Sequence, residues 1–101
     1  MNEVKTWLEK SDHDLVTAKV TLREGIYDAS AFYCQQAIEK ALKALYIKEF
    51  KQLIKTHDLY FLGKKVNLPS ELLKICDEIT SFYTETRYPD TFVEFEEETV
   101  S

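Results

Sequence analysis

A chain of 101 residues with 45% hydrophobic residues, 13 of them aromatic, carries enough apolar surface for one modest core and is too rich in it for a disordered segment. No apolar run approaches the roughly 20 residues of a membrane span, and no signal peptide is evident, so a cytoplasmic protein without membrane association is expected. The net charge of −5 comes from the end of the chain: Asp90, Glu94, Glu96, Glu97 and Glu98 follow Arg87 with no base among them, which leaves residues 1–89 neutral.

The breakers Gly25, Gly63, Pro69 and Pro89 divide the chain into four segments, none of which alternates with period two. The first helix is predicted from about Glu3 to Glu24. Leu8, Ser11, Leu15, Ala18 and Leu22 repeat at spacings of three and four, with Val4 and Trp7 extending the face, and Asp12, Asp14, Lys19 and Arg23 should point elsewhere. Gly25 suits a left-handed helix stop. The central helix should run from Tyr27 to Phe50, with Asp28 as its N-cap. It has no Gly or Pro and is rich in strong helix formers. Ala31, Cys34, Ile38, Ala41 and Leu45 form its expected core face. Gln35, Gln36, Glu39, Lys40 and Lys43 form the polar face where function is sought first.

Thr56 is expected to cap a short helix whose first turn is His57, Asp58 and Leu59. Tyr60, Phe61 and Leu62 should pack inward, and Gly63 should stop the helix. Pro69 opens the last helix, with an apolar face of Leu72, Ile75, Cys76, Ile79, Phe82 and Tyr83, ending near Thr84 to Thr86. Thr86 to Asp90 then reads as a loop, since Tyr88 precedes a proline. Phe92, Val93 and Phe95 need cover. The periodicities predict an all-α, up-and-down antiparallel bundle of four to five helices, with the two long N-terminal helices at its centre.

The candidate site residues each have two readings. His57 is either a first-turn residue bonding locally or a polar group for a phosphate or base, able to transfer a proton near neutral pH. Asp58 reads as a first-turn carboxylate favoured by the helix dipole before it reads as a catalyst. Arg87 can fork onto a phosphate while Tyr88 stacks on a base, or it can pair with Asp90. Gln36 and Lys40 lie one turn apart and could reach one ligand, or stand as an exposed or interface pair. Across residues 39–65 seven lysines face three carboxylates, a patch for phosphate or RNA if it is more than a solvated surface. Cys34 and Cys76 read as small core residues. There is no Gly-rich phosphate loop, no Cys/His metal spacing and no Ser-His-Asp constellation.

The order of the motifs carries a resemblance. Trp7-Leu8-Glu9-Lys10 with Asp14-Leu15, Gly25-Ile26-Tyr27-Asp28, Phe32 to Ala44, Lys55-Thr56-His57-Asp58-Leu59 and Thr86-Arg87-Tyr88-Pro89-Asp90 resemble, in this order, the HEPN family (higher eukaryotes and prokaryotes nucleotide-binding domain). The resemblance is to the small prokaryotic members encoded beside a minimal nucleotidyltransferase. It implies a single domain over 1–101, its last family helix absent or cut short after residue 95, in a bundle that usually pairs as a homodimer. It implies a nucleotide- or RNA-contacting role beside that nucleotidyltransferase, in a two-component system of the toxin–antitoxin kind. No cofactor is required, and ATP or a similar nucleotide is the candidate ligand. An alternative is a metal-independent ribonuclease toxin using His57 and Arg87, and another is a dimerisation module with no ligand. Many nuclease members carry an Arg followed by four to six residues and then a His. Neither Arg23 nor Arg87 stands at that spacing from a His, which argues against the ribonuclease.

Overall fold

The computed structural model describes the backbone of residues 2–87, with side chains over 3–81. Four helices follow one another: α1 (Asn2–Arg23), α2 (Tyr27–Phe50), α3 (Leu59–Lys65) and α4 (Ser70–Arg87), with no strand among the described residues. The expected all-α architecture is observed. Among the described residues α1 packs on α2 alone, whereas α2 also meets α3 and α4, and α3 meets α4. No helix among the described residues is long and apolar enough to cross a membrane.

Each helix boundary has a local cause. Gly25 has φ +79°, its N–H bonds to Leu22 at 3.1 Å, and the N–H of Ile26 bonds to Thr21 at 2.8 Å. This is the paired closure of a helix end by a left-handed glycine. Asp28 does not cap α2. The cap position is Ile26, without a side-chain bond, and the Asp28 carboxylate accepts the neighbouring N–H of Ala29 at 2.9 Å. The three-residue turn brings Ile26 to the cap position directly, so Asp28 falls inside the first turn, where its charge still favours the helix dipole.

α3 begins two residues later than its sequence suggests. Asp58 is the cap and accepts from the N–H of Phe61 at 3.0 Å, while the Thr56 hydroxyl accepts the N–H of Asp58 at 3.2 Å. Nor does Gly63 stop this helix. The stop is Asn67, at φ 62°, with the N–H of Leu68 bonded to Gly63 at 2.9 Å and its own N–H to Lys64 at 3.2 Å. Gly63 is buried inside the helix, where a Cβ would lie 2.8 Å from Leu73 and 3.0 Å from Leu68. It provides space for α4 rather than a turn. Pro69 precedes α4, and its carbonyl accepts from Leu72 and Leu73, both at 3.0 Å.

Two kinds of packing result. Leu42, Leu59, Leu62 and Cys76 are buried together, surrounded by Ile38, Tyr46, Ile54, Val66, Leu68 and Ile79. Between α1 and α2 the contact is made by small and polar residues. Ala18 and Ala37 are buried, the Ser11 hydroxyl donates to the carbonyl of Ala37 at 2.6 Å, and the Ser30 hydroxyl donates to that of Ala18 at 2.8 Å.

The helical faces therefore differ from those read off the periodicity. In α1, Leu8, Leu15 and Leu22 are exposed and Asp14 is buried. In α2, Gln35, Glu39 and Lys43 are buried and Leu45 is exposed. The segment before α3 meets Gln35 and Glu39 through His57, and Trp7 of α1 lies beside Lys43, so the supposed polar face of α2 is turned inward. In the second half, Tyr60, Phe61, Leu72 and Ile75 are partly exposed, and Leu59, Leu62 and Cys76 take the inward positions. Thr86 and Arg87 are helical rather than looped, because α4 continues through them. The side chains of Phe82 and Tyr83, and Tyr88 through Phe95 entirely, lie outside the described residues. Cys76 is buried in the core as expected, whereas Cys34 is only half-buried; both thiols are free, and burial pushes both upward in pKa.

Candidate functional site

The polar cluster centres on Glu39. Its side chain is 5% exposed, and its Oε2 meets the Lys43 ammonium at 3.1 Å and His57 Nδ1 at 2.9 Å. Lys43 is one helical turn on and itself buried, with its ammonium 5.5 Å from the centre of the Trp7 ring of α1. His57 comes from the segment that joins α2 to α3, and its side chain is 85% exposed. An ionised carboxylate only accepts hydrogen bonds, so Nδ1 carries the proton. The other nitrogen, Nε2, is then a bare acceptor in the neutral ring or a second donor in the charged one. The arrangement fixes one edge of an imidazole to a buried acid and leaves the remainder of the ring in solvent.

The backbone holds the same residue in place. Gln35 Nε2 donates to the His57 carbonyl at 3.5 Å, and Asp58, next in the chain, is occupied in capping α3. The oxygen of the Gln35 amide, Oε1, is buried without a partner. His57 is thus anchored at its ring, its carbonyl and its following residue. His13, by contrast, is exposed on α1.

A second buried acid lies across the helix pair. Asp14 of α1 forms an ion pair with Lys40 of α2, with Asp14 nearly fully buried and Lys40 about a quarter exposed. Lys40 is therefore already neutralised, and an anionic ligand would have to displace Asp14 to use it. Gln36 is half-buried one turn before Lys40. Of the expected site residues, His57 meets α2 at Glu39 and Gln35, whereas Lys40 is turned to Asp14 of α1, with Gln36 one turn before it. Arg87 is the last residue of α4, with its side chain outside the described set, and Tyr88 lies beyond it. The lysine patch shrinks as well. Lys43 is buried and Lys40 is paired, while Lys48, Lys51, Lys55, Lys64 and Lys65 remain exposed. No group of three His, Cys, Asp or Glu side chains among the described residues could hold a metal ion.

The chain matches a family model of the HEPN domain over residues 4–101. The chain belongs to the HEPN domain family. The crystal structure of TT1696 from Thermus thermophilus is similar to it, with a TM-score of 0.80 and 34% identity, over 90% of this chain and 74% of that one. No curated protein matches.

Within this HEPN domain sequence reasoning misses the burial of Asp14, Gln35, Glu39 and Lys43: it places the last three on the face where function is sought, but the apolar periodicity assigns that face to solvent. A signal was present. A helix expected to have neighbours on several sides must bury part of its polar face, and Glu39 and Lys43 stand at the i, i+4 spacing that lets an acid and a base neutralise each other.

Proposed function

We propose that this HEPN protein contacts a nucleotide or RNA, as a homodimeric partner of a minimal nucleotidyltransferase in a two-component system. The observation that carries the reading is the buried Glu39 carboxylate holding Nδ1 of an otherwise exposed His57. A ring oriented in this way meets a phosphate or base edge with little further ordering. Gln36 would add a polar group from α2, and Arg87 with Tyr88 would supply a fork and a stacking surface from the far end of the chain. The exposed lysines from Lys48 to Lys65 draw a polyanion toward this side without specifying it.

The test is a titration with millimolar ATP and with a short single-stranded RNA, read by thermal unfolding. A ligand at about 100 times its Kd stabilises the native state by about 2.7 kcal/mol. The H57A/R87A double variant should lose that shift while keeping its helicity. An equal shift in the variant would remove the site assignment. A tagged pull-down tests the partner clause, and its expected product is a stoichiometric nucleotidyltransferase.

The Glu39–His57 couple also favours a second reading, in which His57 moves a proton during metal-independent RNA cleavage. Incubating single-stranded RNA with the protein in a chelator decides it. Cleavage that is lost in H57A supports the ribonuclease, and intact RNA rejects it.

A further inference from the structure

The chain carries two histidines, and their surroundings differ. His13 stands exposed on α1, with no carboxylate on its ring among the described residues. The His57 side chain is also exposed, but its Nδ1 is held at 2.9 Å by the buried carboxylate of Glu39. On α2 the same Glu39 oxygen meets the Lys43 ammonium at 3.1 Å, and Gln35 donates to the His57 carbonyl at 3.5 Å. In the segment of His57 itself, Lys55 is exposed, and the Asp58 carboxylate is turned to the N–H of Phe61. Lys43 already supplies the charge that the buried carboxylate needs, so the neutral ring satisfies it as a hydrogen-bond donor. Nε2 is then a lone pair facing solvent, on a ring whose tautomer and orientation are fixed from behind.

Such a nitrogen can ligate a metal, carry a proton or form a covalent bond. A metal ion needs further ligands, and no group of three His, Cys, Asp or Glu side chains among the described residues could hold one. The proton carrier is the ribonuclease reading above. We propose the covalent role: His57 is a modification site whose Nε2 accepts a phosphoryl group from a small anionic donor with a labile leaving group. In the step, the Nε2 lone pair forms the N–P bond while the bond from phosphorus to the leaving group breaks. The leaving group keeps that electron pair. The ring keeps its Nδ1 proton, and the positive charge it gains lies against Glu39. An oriented partner behind a nucleophile is the arrangement that covalent chemistry at a side chain requires. Glu39 is therefore a positioning residue, and the exposed Lys55 two residues before His57 favours an anionic electrophile over a neutral one. The site shares His57 with the nucleotide-contacting reading but needs no bound nucleotide.

The experiment treats the native full chain with phosphoramidate at neutral pH. Labelling of each histidine is followed by peptide mass spectrometry in alkaline solution, which preserves the N–P bond. His57 should gain a phosphoryl group at least roughly tenfold faster than His13, the scale on which an oriented carboxylate partner matters to an imidazole. Phosphorus NMR should place the group on Nε2. In denaturant the two histidines should react at one rate, and H57A should leave only the slow reaction at His13. E39L/K43L removes the carboxylate without leaving a buried charge unpaired. In that variant, with its helices checked by circular dichroism, His57 should slow to the rate of His13. Both rates are read in one chain, so a difference in donor concentration cancels. Equal rates in the native chain, or a group on Nδ1, would overturn the acceptor site. A His57 that stays fast in E39L/K43L would overturn the role of Glu39 and with it the proposal. Neither failure touches the nucleotide titration, and a titration without a thermal shift leaves this site standing.

Discussion

The two halves of the bundle are held by different physics. Where α2 meets α3 and α4, Leu42, Leu59, Leu62 and Cys76 close an apolar nucleus that needs only volume to be right. Where α2 meets α1, alanines let two backbones come close, and hydroxyls and an ion pair fill the remaining demand: Ser11 on Ala37, Ser30 on Ala18, Lys40 on Asp14, while Glu39 and Lys43 neutralise each other within α2. The first kind of contact tolerates sliding and repacking. The second is satisfied in one register only, because a shift of one residue would strand a buried acid. Among the described residues Glu39, which presents His57, is tied to this half only through Lys43, whose ammonium lies 5.5 Å from the centre of the Trp7 ring of α1.

The comparison breaks most visibly at Glu39. The variant E39A leaves the buried Lys43 ammonium without its acid, and a loss of about 3–5 kcal/mol is expected in urea unfolding, because an uncompensated buried charge costs more than the pair was worth. A double variant with leucine at both 39 and 43 should recover most of that stability while still freeing the His57 ring. If E39A is as stable as the wild type, the registered half is not held by its ion pairs.

L62A in the nucleus should cost about 2–5 kcal/mol through lost transfer and a residual cavity. Its effect should not change with salt, whereas the effect of E39A should fall somewhat in high salt. Equal salt dependence would erase the distinction between the halves.

The two glycines sharpen the contrast. G25A meets no atom within 4 Å, so its whole cost is the left-handed backbone, about 1–2 kcal/mol. G63A gains helix propensity of about 1 kcal/mol and meets Leu73 and Leu68 side chains, so the two contributions nearly cancel. G63L exceeds any adjustment those leucines can make and should cost about 1–3 kcal/mol. Thermal unfolding of the three variants should rank G63A as the mildest.

The smallest effect concerns the thiols. Burial raises both pKa values, so the folded chain keeps its thiol protons where the unfolded chain releases them. Stability from this source is complete below the ordinary thiol range and declines as pH rises through it. Alkylation should be slow at both cysteines in the native state. It should be slowest at the buried Cys76, with Cys34 reacting first, and both should become fast in denaturant.

The element order was legible from particular residues. Gly25 ended α1, Pro69 announced α4, and the unbroken run from Tyr27 to Phe50 was α2 to the residue. The site was legible only in part. His57 stood out as a lone histidine at a helix start, but its anchor did not. Glu39 looks like a solvent residue in any helical projection, since periodicity reports which positions are apolar and not which faces are approached by a neighbour. Likewise Gly63 looked like a stop because glycine usually is one, when it was a cleared space for Leu68 and Leu73 that only the arrival of α4 explains.

The sequence by itself determined the all-α class, the lengths of the long helices and the family, because these follow from local propensity, breakers and an ordered set of motifs. The tertiary structure decided which face of α2 is inside, and with it the ion pairs of Asp14 and Glu39 and the fixed ring of His57. The physical reason is that a close helix–helix approach is set by small residues on two segments at once. A buried charge is stable only if that approach brings its partner within reach.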